Sequence, residues 1–178
     1  MDKLEVINST QIFDGFIKLN LDTVIEPGFQ KPVKRVLVKT KAAGAMVAVN
    51  QEGKFILVEQ YRYSHNKYFI EIPAGYIDEG ETPVQAAIRE LKEETGYDCE
   101  NVDKLLTVNS AIGFSDSTLH IFKATATTQD KQNLDEQENI KILEMDEEQI
   151  YHELHLSNSL ITDAKTLVGL FSYLADDM

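Results

Sequence analysis

Several features that define common protein classes are scarce or missing in this sequence. Cys99 is the only cysteine among 178 residues, which excludes an intramolecular disulfide and a metal site built from several cysteines. No apolar run approaches the roughly 18 residues of a membrane-spanning helix, and the N-terminus lacks the layout of a secretory signal. These absences predict a soluble protein of the reducing cytoplasm that has no membrane partner.

Basic residues are also scarce, since 17 Lys and Arg stand against 30 Asp and Glu, for a formal net charge of −13. An acidic surface repels phosphate backbones, so no nucleic-acid partner is expected. Seventeen of the acidic residues lie in two segments, 71–100 and 135–153. Such clusters are typical of solvated helix faces, so the spacing within them must decide whether they form a site.

The chain order of predicted elements favours one class of fold. A hydrophobic content of 43% suffices for a substantial core, and helices are predicted near residues 82–96, 146–155 and 162–174. Strands, one helix, further strands and then helices indicate an α+β fold with a mixed sheet. Alternating and β-branched stretches predict strands at 4–8, 16–25, 33–39, 45–49, 54–63, 104–108, 118–124 and 140–143.

The helix after residue 82 has the clearest start and stop signals. Thr82 is the expected N-cap, Pro83 suits the first helical position, and Gln85 completes a capping box. Gly96 is expected to end the helix, since glycine readily adopts a left-handed conformation. The predicted buried stripe comprises Val84, Ile88, Leu91 and Thr95.

Three carboxylates share one side of this helix. At about 100° per residue, Glu90, Glu93 and Glu94 fall within an arc of roughly 100°. They repel one another and lie near the negative end of the helix dipole, where anions are disfavoured. Hard oxygen donors suit Mg²⁺ or Mn²⁺. Geometry alone leaves both a metal site and a solvated face open.

The spacing from Gly75 to Tyr97 resembles a known motif. The chain reads Gly, five residues, Glu81, seven residues, then Arg-Glu-Leu-Lys-Glu-Glu-Thr-Gly-Tyr from Arg89. This resembles the Nudix box, G-x5-E-x7-R-E-U-x-E-E-x-G-U, where U is a bulky aliphatic residue, with Tyr97 as the one departure. The resemblance implies a Nudix-type α/β/α sandwich with a mixed sheet, preceded by an antiparallel strand region.

The resemblance also implies roles for individual residues. Family members bind a divalent metal that bridges a diphosphate, expected here to be Mg²⁺ with Mn²⁺ as the alternative. Arg89 corresponds to an arginine that orients a helix glutamate, and its salt bridge to Glu93 would serve that role. Glu81 corresponds to an acid that holds the loop or the metal-bound water. The implied metal ligands are Glu81, Glu90, Glu93, Glu94 and the backbone carbonyl of Ala74.

Segments outside the box resemble the ADP-ribose and nucleoside diphosphate sugar pyrophosphatase branch. These segments are 59–63, 71–75, 113–116, 135–140 and 161–164. Ile112 stands where members that prefer ADP-ribose carry proline, which favours a broader nucleotide-sugar substrate. The implied reaction releases a nucleoside monophosphate and a sugar phosphate. The alternatives are a strict ADP-ribose pyrophosphatase, a hydrolase of NADH or other dinucleotides, and a non-catalytic nucleotide-sugar sensor.

Two charged residues outside the box are candidates for the chemistry. By resemblance, Glu138 is the base that activates water or a further metal ligand. Glu136 competes for that role, and a plain surface loop is the other alternative. Arg62 is expected to contact a substrate phosphate, because a guanidinium matches phosphate oxygens. An ion pair of Arg62 with Glu59 or Glu71 is its alternative.

The N-terminal segment is expected to assist assembly and substrate binding. By resemblance, residues 1–40 form a β-rich dimerisation and substrate segment, and 41–178 form the Nudix domain of a homodimer. Arg35 is a candidate phosphate or sugar contact. Phe16 and Phe29 are candidates for stacking on a base, with burial in the core as the alternative.

Overall fold

Helix α1 (Pro83–Thr95) begins and ends where the sequence predicts. The Thr82 hydroxyl accepts a hydrogen bond from the N–H of Gln85, and the Gln85 side chain accepts one from the N–H of Thr82. Gly96 adopts a left-handed φ of 76°, and its N–H donates to the carbonyl of Lys92. The predicted capping box and glycine stop are therefore confirmed.

The computed structural model describes residues 3–176, which divide into two compact units. The first contains the described residues up to Lys41 together with Asn109–Thr118, and the second contains Ala42–Val108 and the described residues from Leu119 onward. In the first unit, three antiparallel strands pair in the order β1-β2-β3. They are β1 (Glu5–Asp14), β2 (Lys18–Ile25) and β3 (Val33–Lys39).

The second unit contains a seven-stranded mixed sheet. Its main strand order is β10-β5-β4-β9-β8, while β6 pairs with β5 and β7 pairs with β4. The β4–β9 pair is parallel, whereas β5 runs antiparallel to β4, β6 and β10. The strands are β4 (Ala43–Val49), β5 (Phe55–Arg62), β6 (Lys67–Glu71), β7 (Ala74–Tyr76), β8 (Tyr97–Asn109), β9 (Thr118–Gln129) and β10 (Ile140–Met145).

Alternate residues of β4 pack into two separate cores, one on each face of this sheet. Ala45 and Val47 pack against α2 (Glu147–Leu154) and α3 (Ala164–Asp176), whereas Met46 and Ala48 pack against α1. The period of two follows from the strand pleat. The arrangement confirms the predicted α+β class and the α/β/α layers.

The buried face of α1 differs from the predicted stripe. Leu91 is fully buried, but Ile88 is 38% exposed, while Ala87 and Glu94 are buried. The cause is the close approach of β4, since a Cβ on Gly44 would lie 2.8 Å from the nitrogen of Ala87. Small residues therefore face the sheet, and the buried face overlaps the carboxylate arc at Glu94.

Several strands extend beyond their predicted limits, β1 and β8 by the most residues. The strand predicted at 4–8 continues to Asp14, and the strand predicted at 104–108 begins already at Tyr97. Every residue of β1 is exposed, so no alternation of buried apolar residues marks its length in the sequence.

None of the helices within residues 3–176 combines the length and the apolar character that a membrane span requires.

Candidate active site

The guanidinium of Arg89, in the middle of α1, joins Glu81, which precedes the helix, to two glutamates in its second half. Its Nε and Nη2 donate to Glu81 at 2.9 and 3.0 Å, and its Nη1 donates to Glu90 at 2.7 Å and to Glu93 at 3.0 Å. Nη2 also donates to the carbonyl of Tyr76 at 2.9 Å. The hydrogen bonds to Glu81 raise the pKa of Arg89 above its ordinary value. The salt bridge expected with Glu93 is present, within a larger network.

Glu81 is held by hydrogen bonds at both carboxylate oxygens. Besides Arg89, it accepts the N–H of Asp78 at 3.0 Å, and the bond from Arg89 lowers the pKa of Glu81. These contacts tie the turn between β7 and α1 to the helix. Of the two roles implied for Glu81, this geometry favours holding the loop.

Glu90 and Glu94 lie against the strand that precedes the turn. Glu94 is 5% exposed and accepts the N–H of Ala74 at 3.2 Å. Burial, followed by the neighbouring charge of Glu90, raises the pKa of Glu94 to about 8, and burial also raises the pKa of Glu90. A Cβ on Gly75 would lie 1.9 Å from Oε1 of Glu90. Only glycine fits there without displacing that carboxylate.

The chemistry of these donors suits a hard divalent cation. Two carboxylates with raised pKa values lie side by side, and a bound cation would favour their charged forms. As the side chains of residues 3–176 stand, no three His, Cys, Asp or Glu gather closely enough to hold a metal ion. Arg89 binds Glu90 and Glu93, while Glu94 accepts the N–H of Ala74. The donor set fits the metal, whereas the complete ligand set stays a prediction.

The loop before β10 brings Glu138 within electrostatic range of this pair. The N–H of Glu138 donates to the carbonyl of Asp135 at 2.9 Å, and the Glu138 carboxylate accepts the N–H of Asp135 at 3.1 Å. The charge of Glu138 contributes to the raised pKa of both Glu90 and Glu94. Glu136 is exposed and is not among the main contributors.

Arg62 forms an ion pair with Glu71, which was the alternative to a role in binding phosphate. Its Nε and Nη2 donate to Glu71 at 2.6 and 2.7 Å. Glu71 is 3% exposed and also binds Lys165, whose ammonium donates to Asp163 at 2.9 Å. Burial alone would raise the pKa of Glu71, but the two cations outweigh it and hold this pKa below its ordinary value. Arg62, Glu71 and Lys165 line a cavity of about 390 Å³ that also includes His65.

The remaining candidates lie in the first unit. Arg35 donates to both carboxylate oxygens of Glu26, at 2.8 and 2.9 Å. Phe16 is 79% exposed and Phe29 is 55% exposed, so the alternative of core packing is wrong for both. Their roles as substrate contacts stay predictions.

Two residues beside the site were not found from the sequence. Lys165 directly follows segment 161–164, whose resemblance to the start of the final helix was the available signal. Gln132 offered no signal, because its partners are the backbone carbonyls of Glu94 and Ile140.

Comparison with known proteins gives consistent matches. A family model described as NUDIX domain matches residues 38–163. The methanol dehydrogenase activator of Bacillus methanolicus is 35% identical over 93% of this chain and 90% of its own length. The ADP-ribose pyrophosphatase of Bacillus subtilis is 38% identical over 79% of this chain and 77% of its own. A crystal structure of an ADP compounds hydrolase shares the fold, with a TM-score of 0.82, 21% identity and coverage of 98% and 94%.

The α/β/α fold and the carboxylate helix define a Nudix-type domain. The chain belongs to the Nudix family. The predicted enzyme class, a Nudix hydrolase, is thereby confirmed.

Proposed function

We propose that this chain hydrolyses the diphosphate of nucleoside diphosphate sugars, ADP-ribose among them. The observation that supports it best is the placement of Glu90 and Glu94 against β7, where Gly75 leaves room for the Glu90 carboxylate and Ala74 donates to Glu94. Relatives named ADP-ribose pyrophosphatase in Bacillus subtilis and ADP-sugar pyrophosphatase in Mus musculus support the substrate class. The products are a nucleoside monophosphate and a sugar phosphate.

The metal proposed for this reaction is Mg²⁺, with Mn²⁺ as the alternative. Nudix hydrolases generally use a divalent metal. The proposed ligands are Glu81, Glu90, Glu93, Glu94 and the carbonyl of Ala74, with Glu81 acting on the metal-bound water or by holding the loop. When bound, such a cation neutralises phosphate charge and lowers the pKa of a bound water.

The side chains of this chain have separate proposed tasks. Glu138 accepts a proton from the attacking water as the bond from phosphorus to the bridging oxygen breaks, and Glu136 is the alternative base. Arg89 orients Glu90 and Glu93 through its hydrogen bonds. Arg62 donates Nε and Nη2 to Glu71, and its Nη1 is the donor proposed for a phosphate oxygen.

Three alternative functions lead to different substrates. A strict ADP-ribose pyrophosphatase would reject other nucleotide sugars, and a dinucleotide hydrolase would prefer NADH. A sensor would bind nucleotide sugars without cleaving them. Ile112 in place of the expected proline favours the broader nucleotide-sugar activity, and the intact box carboxylates argue against the sensor.

A panel of substrates tests the proposal. Purified protein is incubated with ADP-ribose, other nucleotide sugars and NADH, each with Mg²⁺, with Mn²⁺ or with excess chelator. A phosphatase then releases phosphate from monoester products but not from the intact diphosphates. Release from several nucleotide sugars that requires the metal is expected. Binding without release from any of them would instead support the sensor.

The assembly proposed for this enzyme is a cytoplasmic homodimer. Strand β1 is an edge strand exposed along its whole length, with apolar residues that include Val6, Ile12 and Phe13. Pairing with a second copy would cover this edge. Residues 1–40 would then provide both the dimer contact and substrate contacts through Arg35, Phe16 and Phe29.

A further inference from the structure

The end of β9 and the chain segment that follows it cover the C-terminal end of α1. Helix ends leave backbone carbonyls without partners inside the helix, and here each of the last carbonyls receives a donor. Four of the five donors come from residues 129–133. The donors are Gly96 N for Lys92 O at 2.8 Å, Asn133 N for Glu93 O at 2.9 Å, Gln132 Nε2 for Glu94 O at 2.6 Å, Gln129 Nε2 for Thr95 O at 3.2 Å and Asp130 N for Gly96 O at 2.8 Å.

Gln132 differs from the other donors because its side-chain amide binds two carbonyls. Besides Glu94 O, its Nε2 donates to the carbonyl of Ile140 at 3.2 Å. Ile140 is buried and is the first residue of β10. One amide therefore joins the beginning of loop 133–139, the end of that loop and the carboxylate helix.

Loop 133–139 contains the turn that holds Glu138. The turn is closed by the hydrogen bonds between Glu138 and Asp135, which set its local shape. They do not set its distance from α1. The hydrogen bond from Asn133 N to Glu93 O holds the start of the loop at α1. The two hydrogen bonds from Gln132 also tie its far end, since Glu94 provides one acceptor and Ile140, two residues after Glu138, provides the other.

We propose that Gln132 is a positioning residue for hydrolysis, which fixes loop 133–139 against α1 so that the Glu138 carboxylate faces Glu90 and Glu94. The catalytic part of this inference rests on the proposed function. The mechanical part, that the amide holds the loop, does not.

The first test compares two glutamines at the same helix end. Gln132→Met keeps the side-chain length but removes the donor, and it should lower kcat by about 10- to 100-fold with KM changed less than about threefold. Gln129→Met is the matched control, since Gln129 caps Thr95 without bridging the loop. The control should keep kcat within about twofold. Equal kcat values for the two variants would overturn the inference.

A double-mutant cycle separates positioning from general destabilisation. If Gln132 acts through Glu138, Gln132→Met should change kcat less than about threefold in a Glu138→Gln background. Glu100→Gln, which changes an exposed glutamate on β8, is the comparison background, in which the full loss should persist. Losses that multiply in the Glu138→Gln background would reject the inference.

Amide hydrogen exchange tests the mechanical part without any substrate. Exchange in residues 133–139 should be faster in Gln132→Met than in the unmodified protein, with the core of α1 unchanged. Unchanged exchange in the loop would overturn the mechanical part of the inference. If no nucleotide sugar is hydrolysed, the proposed function is wrong, and hydrogen exchange still decides the role of Gln132. Should Gln132→Met not fold, Gln132→Asn enters the same assays, since its shorter side chain cannot bridge both carbonyls.

Discussion

At the scale of single residues, the approach of Gly75 to Glu90 explains why the box begins with glycine. A Cβ at this position would overlap the Glu90 carboxylate, so any other residue would push a proposed metal ligand away. Glu94 occupies a position that is unfavourable for a carboxylate. It keeps a carboxylate in a buried position, where burial and Glu90 disfavour its charged form. A buried carboxylate with a strongly raised pKa is typical of a functional site.

Replacing Glu94 tests this interpretation directly. Glu94→Gln should leave thermal unfolding unchanged or slightly improved, because a neutral amide avoids the penalty that burial and Glu90 impose on a charged carboxylate. At saturating Mg²⁺, kcat on the best nucleotide sugar should fall by about three orders of magnitude, as expected on loss of a metal ligand. Glu100→Gln, an exposed glutamate on β8, is the control and should retain full activity. Near-normal turnover by Glu94→Gln would contradict the metal-site assignment.

At the scale of elements, the start of α3 is attached to the strands that lead into the box. The N–H of Ile72 donates to the hydroxyl of Thr166 at 3.1 Å, and Asp163 accepts both the N–H and the hydroxyl of Thr166. Lys165 and Arg62 meet at the buried Glu71 carboxylate. These contacts hold the segment from β6 to β7 in place beside Glu94.

The Glu71 cluster should therefore make a measurable contribution to stability. Glu71→Gln leaves Arg62 without its carboxylate partner and leaves Lys165 with Asp163 alone, so the free energy of unfolding at neutral pH should fall by about 3 kcal/mol. The control is Glu59→Gln, whose long pair with the exposed Lys141, at 3.6 Å, should contribute less than about 1 kcal/mol. Chemical denaturation of both variants measures the difference.

The pH dependence of this contribution has a definite sign. Pairing lowers the folded-state pKa of Glu71 below its ordinary value of 4.5. The stabilisation is therefore fully present above pH 4.5 and is lost as the pH falls through the folded-state pKa. The difference in the free energy of unfolding between wild type and Glu71→Gln should therefore become smaller in acid. A difference that stays constant would contradict the ion-pair explanation.

At the scale of the whole molecule, the exposed edge strand β1 is the feature that supports the proposed dimer. Ten successive exposed residues form an edge strand, and long exposed edges promote pairing between chains. We expect light scattering at low micromolar concentration to give the mass of two chains. Ile12→Asp should shift the protein toward monomer, since it places a charge among apolar residues of this strand. Ser9→Asp on the same strand is the control, and a monomeric wild type would exclude the dimer.

Much of the fold and part of the site could be predicted from the sequence. The limits of α1 and the spacing of its carboxylates depend on neighbours a few positions apart, where periodicity and capping preferences act directly. The mixed sheet was predicted from the chain order of the elements and from the family resemblance. The exposure of Ile88 could not be predicted, because it depends on how closely Gly44 lets β4 approach the helix. The full length of β1 was missed because none of its residues is buried.

The sequence by itself determined the family, through the spacing from Gly75 to Gly96, and the local start and stop of the carboxylate helix. Only the tertiary structure decided that Glu71 is the partner of Arg62, with Lys165 arriving from 94 positions away. It also decided that Gln132, 38 positions after Glu94, ties the Glu138 loop to the helix. Local propensities act over one or two helical turns, whereas these partners meet only when the sheet brings distant segments together.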